Sequence, residues 1–167
     1  VSRAHLYRPL ERDPHVRLDH LAGHTSGLIA LTGAGDGALV RLLAEGRGEA
    51  AGIYVDRLQA LFPSRLYIEV ARRGDAAEDE AEDALVALAY ARDLPLVAPT
   101  PAHFAEPHQH AAHDAMLCIA HSTHVDAPDR PRSSPQAWVK SGAMMEELFA
   151  ALPEALANTL VVAQRCA

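Results

Sequence analysis

Six of the ten histidines lie in one short stretch: His103, His108, His110, His113, His121 and His124. Neutral imidazole is the commonest nitrogen ligand for zinc and related metals, and His108-x-His110-x-x-His113 has ligand-compatible spacing. A hydrolytic metal centre also needs carboxylates to bridge or polarise ions. Glu106 and Asp114 are the nearby acids. The residues leading into the run, Thr100 and Pro101, are a poor ligand and none. By spacing alone, a solvated loop with helix-capping histidines is the stronger reading. Cys118 sits in the apolar run Met116-Leu-Cys-Ile119, which suits a buried, inert thiol. Ser26 and Ser122 lie close to His24 and His121, but adjacency in sequence is not a triad.

The element that must position this stretch is Leu94-Pro-Leu-Val-Ala-Pro-Thr-Pro-Ala-His-Phe104. Prolines at 95, 99 and 101 forbid a helix and confine any strand to the residues between them, near 95–98. Gly27-Leu-Ile-Ala-Leu-Thr-Gly33 reads as a buried strand near 28–32, and Arg65-Leu-Tyr-Ile-Glu-Val70 as a strand near 66–70. Between them the spacing predicts a helix N-capped by Asp36, then one over 49–62 stopped by Pro63. A third helix begins at Asp75, with Glu78 at capping-box spacing, and runs to Arg92. The acidic block 75–83 reads as a solvated helix face. Val125 to Pro135 reads as loop. Helices over 141–151 and 153–166 follow, and Trp138 is expected to pack against them. Before the first strand, a helix end over 2–7 broken by Pro9 and one turn over 18–21 are expected.

Alternation of strands and helices is the grammar of right-handed parallel crossovers, and it places the fold class as α/β. In such folds, loops at the carboxyl ends of strands carry the chemistry. Gly33-Ala-Gly-Asp-Gly37 only approximates a dinucleotide loop and reads as a tight turn. The chain has 167 residues, enough for a single domain segment over 1–167. Its 22 acidic and 15 basic residues give a formal charge of −7, unsuited to gripping DNA. Arg3, Arg8, Arg12 and Arg17 form one loose basic patch, and Arg130, Arg132 and Lys140 another. Both read as solvated. No apolar run of about 18 residues occurs, so no membrane span is expected. With no secretory signal, the two cysteines are expected as buried reduced thiols in a cytoplasmic protein. The abrupt start, with no strand ahead of the first helix, suggests a segment.

Certain motifs carry a resemblance: Gly27–Gly33, Leu66–Val70, Leu94–Ala98 and Ala112-His-Asp-Ala-Met-Leu-Cys-Ile119. To these are added Trp138-Val-Lys-Ser141, Glu146-Glu-Leu-Phe149, Pro153-Glu-Ala-Leu-Ala-Asn-Thr159 and Ala163-Gln-Arg-Cys166. Over nearly its whole length the chain resembles the PHP (polymerase and histidinol phosphatase) domain of bacterial replicative DNA polymerase III α subunits. The resemblance implies the C-terminal part of a distorted (β/α) barrel, hence a partial barrel with covering helices and a helical tail. The parent chain would be a DNA-directed DNA polymerase, a nucleotidyltransferase acting in DNA replication.

In metal-binding members, the loop after the last of these strands reads Asn-Asp-x-His, with the aspartate and histidine as ligands. Here it reads Thr100-Pro101-Ala102-His103, so the histidine is present and the aspartate is not. Where those members often carry a histidine before a glycine, this chain has Arg73 before Gly74. Loss of an anion and gain of a permanent cation both oppose a metal cluster. The resemblance therefore implies a vestigial ligand position at His103, no catalytic residue and no cofactor. The role it implies is a scaffold that docks the proofreading exonuclease subunit and other polymerase III subunits, with DNA held by the parent chain. The competing expectation is an active metal-dependent phosphoesterase or 3′–5′ exonuclease using zinc or manganese. An unrelated cytosolic hydrolase is a third.

Overall fold

The computed structural model describes residues 2–6, 11 and 14–167. Among them are seven α-helices and a three-stranded parallel sheet. In chain order they run α1 (Ser2–Leu6), a 3₁₀ turn (Leu18–Leu21), β1 (Ala30–Leu31), α2 (Ala38–Ala44), α3 (Gly48–Leu61) and β2 (Leu66–Glu69). Then follow α4 (Ala76–Ala91), β3 (Leu96–Val97), a 3₁₀ turn (Pro107–Gln109), α5 (His110–Ala120), α6 (Gly142–Leu148) and α7 (Pro153–Arg165). The expected mixed α/β class and parallel pairing stand, in the order β1-β2-β3. Of the expected helix over 2–7, Tyr7 and Pro9 lie outside the described residues, as do Arg8 and Arg12 of the first basic patch.

β2 is the centre of the sheet, and its sequence explains why. Leu66, Ile68 and Val70 alternate onto one face and are essentially fully buried in the main core. Tyr67 takes the other face, where Arg165 of α7 donates to its hydroxyl at 2.9 Å. Pro95 and Pro99 trim β3 to two residues, as their missing N–H groups require. β1 differs from the expectation of a fully buried strand. It is an edge strand, with Leu31 44% and Leu28 50% exposed, because nothing among the described residues pairs with its outer side. The opposite edge is closed. Ala98 N–H donates to the Ala155 carbonyl at 3.0 Å, and Asn158 Nδ2 to the Leu96 carbonyl at 2.7 Å. α7 thus satisfies the outer backbone of β3 in place of a fourth strand.

Several local readings are corrected by tertiary partners. The N-cap of α2 is Gly37, not Asp36, which instead faces Arg73 at 3.9 Å. Asp75 caps α4 through the Ala77 N–H, but Glu78 does not return to close a capping box. It is buried and bonded to Arg73 and to the Gly35 N–H. α5 buries only part of the apolar run Met116–Ile119. Cys118 is 4% exposed, while Met116 is 66% and Ile119 79% exposed. Cys118 and Cys166 are both free thiols, and Cys166 is exposed rather than buried. Trp138 pairs through its backbone with Phe104 and carries Lys140 over its ring. Lys140, Arg130 and Arg132 do not form one patch, because Arg130 is drawn into an ion pair with Asp114. No helix among the described residues is long and apolar enough to cross a membrane.

Candidate functional site

Three loops leave the carboxyl ends of the parallel strands, the position where α/β domains hold their ligands. The first, Gly33 to Gly37, is folded tightly. Gly33 has φ +75°, and a Cβ at Gly37 would lie 2.4 Å from the Gly33 carbonyl oxygen. Its backbone N–H groups are claimed by two carboxylates of the protein itself. Gly33 N–H donates to Glu69 at the end of β2, and Gly35 N–H to Glu78 of α4 at 2.9 Å. The glycines therefore serve a close backbone turn, and internal acids stand where a bound phosphate would in a dinucleotide loop.

Glu69 and Glu78 differ in one decisive respect. Arg73 donates to Glu78 from Nη2 at 2.6 Å and from Nε at 3.0 Å. Burial alone would lower the Arg73 pKa, but Glu78, Asp36 and Asp75 outweigh it and hold it above the ordinary value. Glu69 has no such cation among the described residues. Burial pushes its carboxyl up from the ordinary range, and the Gly33 N–H only partly offsets this.

The second and third loops meet in a narrow cleft lined by Arg72, Arg73, Thr100, Pro101, Gln136 and Lys140, with Met145, Leu148 and Phe149 behind. The free volume is about 10 Å³, roughly the space that one water needs. Two positions singled out in the sequence, Arg73 and Pro101, are thus neighbours in space. His103 is not among the lining residues. It is exposed, its backbone N–H donates to the Ala137 carbonyl at 2.8 Å, and its ring centroid is 5.4 Å from that of His113.

The donor set of this cleft does not fit a cluster of divalent cations. Three cationic side chains line it and no carboxylate does. Arg72 is held by Glu82 and the Leu148 carbonyl, with Glu82 raising its pKa, and it lies 4.9 Å over the Phe149 ring. Lys140 is half-buried, and burial lowers its pKa. Among the described residues, no group of three His, Cys, Asp or Glu side chains is placed to hold a metal.

The remaining histidines divide between fastening and solvent. His110 Nε2 lies 3.1 Å from the Ser133 carbonyl, so it donates there, and His113 Nδ1 lies 2.9 Å from Ser133 Oγ. Asp114 takes a two-point bond from Arg130, at 2.5 and 2.7 Å, which holds its carboxyl below the usual range. These contacts bind the 125–135 loop to the inner side of α5. Ser134 Oγ in turn donates to the Arg73 carbonyl. His108, His121 and His124 are exposed. Sequence reasoning missed Arg72, Gln136 and Lys140 as parts of the cleft. Arg72 was within reach, being just past the end of β2. Gln136 and Lys140 are more than sixty residues away along the chain and carry no local signal.

The fold and cleft define a parallel α/β domain whose loops at the carboxyl end of the sheet are fastened by internal ion pairs. No family model matches the chain. It is, however, similar to curated proteins named DNA polymerase III subunit alpha. That of Caulobacter vibrioides is 41% identical over 155 residues, which is 93% of this chain and 14% of that protein. Those of Pseudomonas aeruginosa and Escherichia coli K12 are each 38% identical, over 152 and 154 residues, 90% and 92% of this chain. The chain spans about one seventh of the length of these relatives.

Proposed function

We propose that residues 1–167 form a PHP-type segment of the α subunit of a bacterial replicative DNA polymerase, and that the segment is a non-catalytic scaffold. The observation that carries the family is the 41% identity to the Caulobacter vibrioides subunit across 93% of the chain. In this reading, the parent chain carries out DNA-directed DNA synthesis in the cytoplasm and holds the DNA elsewhere. The segment is the C-terminal part of a barrel whose loops at the carboxyl end of the sheet serve packing and docking. The proofreading exonuclease subunit is the partner it receives.

The scaffold role is supported by the chemistry of the cleft. A phosphoesterase that uses zinc or manganese needs anionic ligands at the carboxyl ends of its strands. This chain places Arg72, Arg73 and Lys140 there, with Pro101 where the resemblance would put an aspartate. Among the described residues, His103, the vestigial ligand position of this reading, belongs to no group of three or more potential ligands.

Metal analysis of the purified chain after incubation with zinc and with manganese tests the scaffold reading. The expected result is well under one tightly held ion per chain; two or three would overturn the scaffold-only reading. Co-elution of the full α subunit with the exonuclease subunit tests the docking role, and independent migration of the two would remove it.

A further inference from the structure

Beyond β3 the chain runs through a 3₁₀ turn, α5 and the 125–135 loop, and then returns to the point it left. The two ends are pinned together: His103 N–H donates to the Ala137 carbonyl at 2.8 Å, and Phe104 pairs with Trp138. Residues 105–136 are therefore a closed excursion from the body of the domain. Among the described residues, none from 99 to 144 belongs to the main core or packs on it as a partly buried apolar side chain. α5 packs along the 3₁₀ turn before it, while the helices and strands of the body pack on one another.

The excursion is held together mainly by its own residues. The Phe104 ring at its root lies 5.6 Å from the rings of both His110 and His113, a small cluster apart from the main core. Cys118, one helical turn beyond Asp114 on the same face, is buried as well. Ser133 bonds to the two histidines and Arg130 to Asp114, all within the excursion. Ser134 Oγ, which donates to the Arg73 carbonyl and accepts the Gln136 N–H, ties it to the strand-end loop. The outer side of α5 adds little apolar burial, since Met116 and Ile119 are exposed. Few buried apolar contacts mark a region of low local stability.

We propose that residues 105–136 form a flap that opens as one unit about its pinned ends, exposing Cys118, while the sheet and the helices packed on it stay folded. The cost of closing a loop grows only slowly with its length, so the released flap gains nearly the freedom of an open chain without unpinning its ends. Opening breaks the Ser134 bond to Arg73 and leaves the Arg73–Glu78 ion pair in place. Gln136 lines the cleft beside Arg72 and Arg73, so the same movement loosens one wall of that cleft. The inference rests on connectivity and packing and does not depend on the replicase reading.

Native-state hydrogen exchange and thiol labelling of the full 167-residue chain test it, with Cys166→Ser leaving Cys118 as the one thiol. The α5 amides from Asp114 to Ile119 and the Cys118 thiol are expected to report one opening constant, equal within about threefold. That constant should exceed those of the Val55 and Ile68 amides by about a hundredfold or more. Asp114→Asn should raise it about fivefold or more in both probes and leave Val55 and Ile68 unchanged. Labelling of Cys118 as slow as exchange at Ile68 would overturn the proposal, because the flap would then open only with the whole domain. Opening constants for the α5 amides and Cys118 that differ by more than about threefold would overturn it too, as fraying in place of a unit. So would an equal change at Ile68 and in α5 on Asp114→Asn. The two probes in the Cys166→Ser chain decide the matter even where Asp114→Asn fails to fold.

Discussion

Arg73 and Glu78 form a buried ion pair, Nη2 to Oε1 at 2.6 Å, with side chains only 10% and 3% exposed. The pair sits between the β2 and β1 loops, because Glu78 also accepts the Gly35 N–H and the Arg73 backbone N–H. Removing one partner of a buried pair leaves the other charge unmatched and costs about 3–5 kcal/mol. Glu78→Ala should lower stability by about 3 kcal/mol in urea unfolding. Arg73→Met combined with Glu78→Met should recover most of that loss, since an apolar pair of similar volume removes both desolvated charges. A double variant as unstable as Glu78→Ala would show that the bonds to Gly35 matter more than the charge.

Glu69 has the opposite relation to its surroundings. Its folded-state pKa is raised by burial, so the folded protein binds this proton more tightly than the unfolded chain does. Glu69 therefore weighs against folding above its folded pKa. That penalty fades as pH falls through the folded value and is gone below the ordinary carboxylate range. Glu69→Gln, which keeps an acceptor for Gly33, is expected to melt higher than the native chain at pH 7. The difference should shrink to nothing near pH 4. Thermal melts across that range check both the sign and the convergence.

Asp114 titrates the other way. Arg130 holds its pKa below the ordinary value of 3.8, so the contribution of the pair is complete above that value and is lost as pH falls through the lower folded one. At neutral pH the pair binds the 125–135 loop to α5. Asp114→Asn should release that loop and speed tryptic cleavage after Arg132, the accessible arginine there, since Pro131 follows Arg130. Unchanged cleavage would mean that His110 and His113 hold the loop through Ser133 without help.

Asn158 closes the outer edge of β3 by donating to the Leu96 carbonyl at 2.7 Å. Asn158→Ala leaves that carbonyl without its partner, at a cost of about 1–3 kcal/mol. It also uncovers part of a strand edge. A lowered melting midpoint is expected, together with self-association in sedimentation experiments. A monomer of unchanged stability would assign the edge closure to the Ala98–Ala155 backbone bond alone.

The sequence by itself determined the three parallel strands and the helices between them. Those signals are local: alternation in Leu66–Val70, glycines around residues 27–33, prolines around Leu96 and Val97, and helical stripes that need no distant partner. It also carried the likeness to the polymerase subunit, whose motifs are short contiguous runs, and it singled out Arg73 and Pro101. Only the tertiary structure decided what those residues do. Glu78 has the spacing of a capping-box residue, yet a buried arginine and a glycine N–H from another loop offer it more than its own helix end. α5 turns His110, His113 and Asp114 inward because the 125–135 loop supplies their partners, and this leaves Met116 and Ile119 outside. The histidine run has ligand-compatible spacing, but spacing along a chain says nothing of direction. In the fold, His110 and His113 fasten a loop, His103 lies outside the cleft, and the cleft belongs to Arg72, Arg73 and Lys140. Charges meet through space, and residues more than sixty apart cannot announce that in sequence.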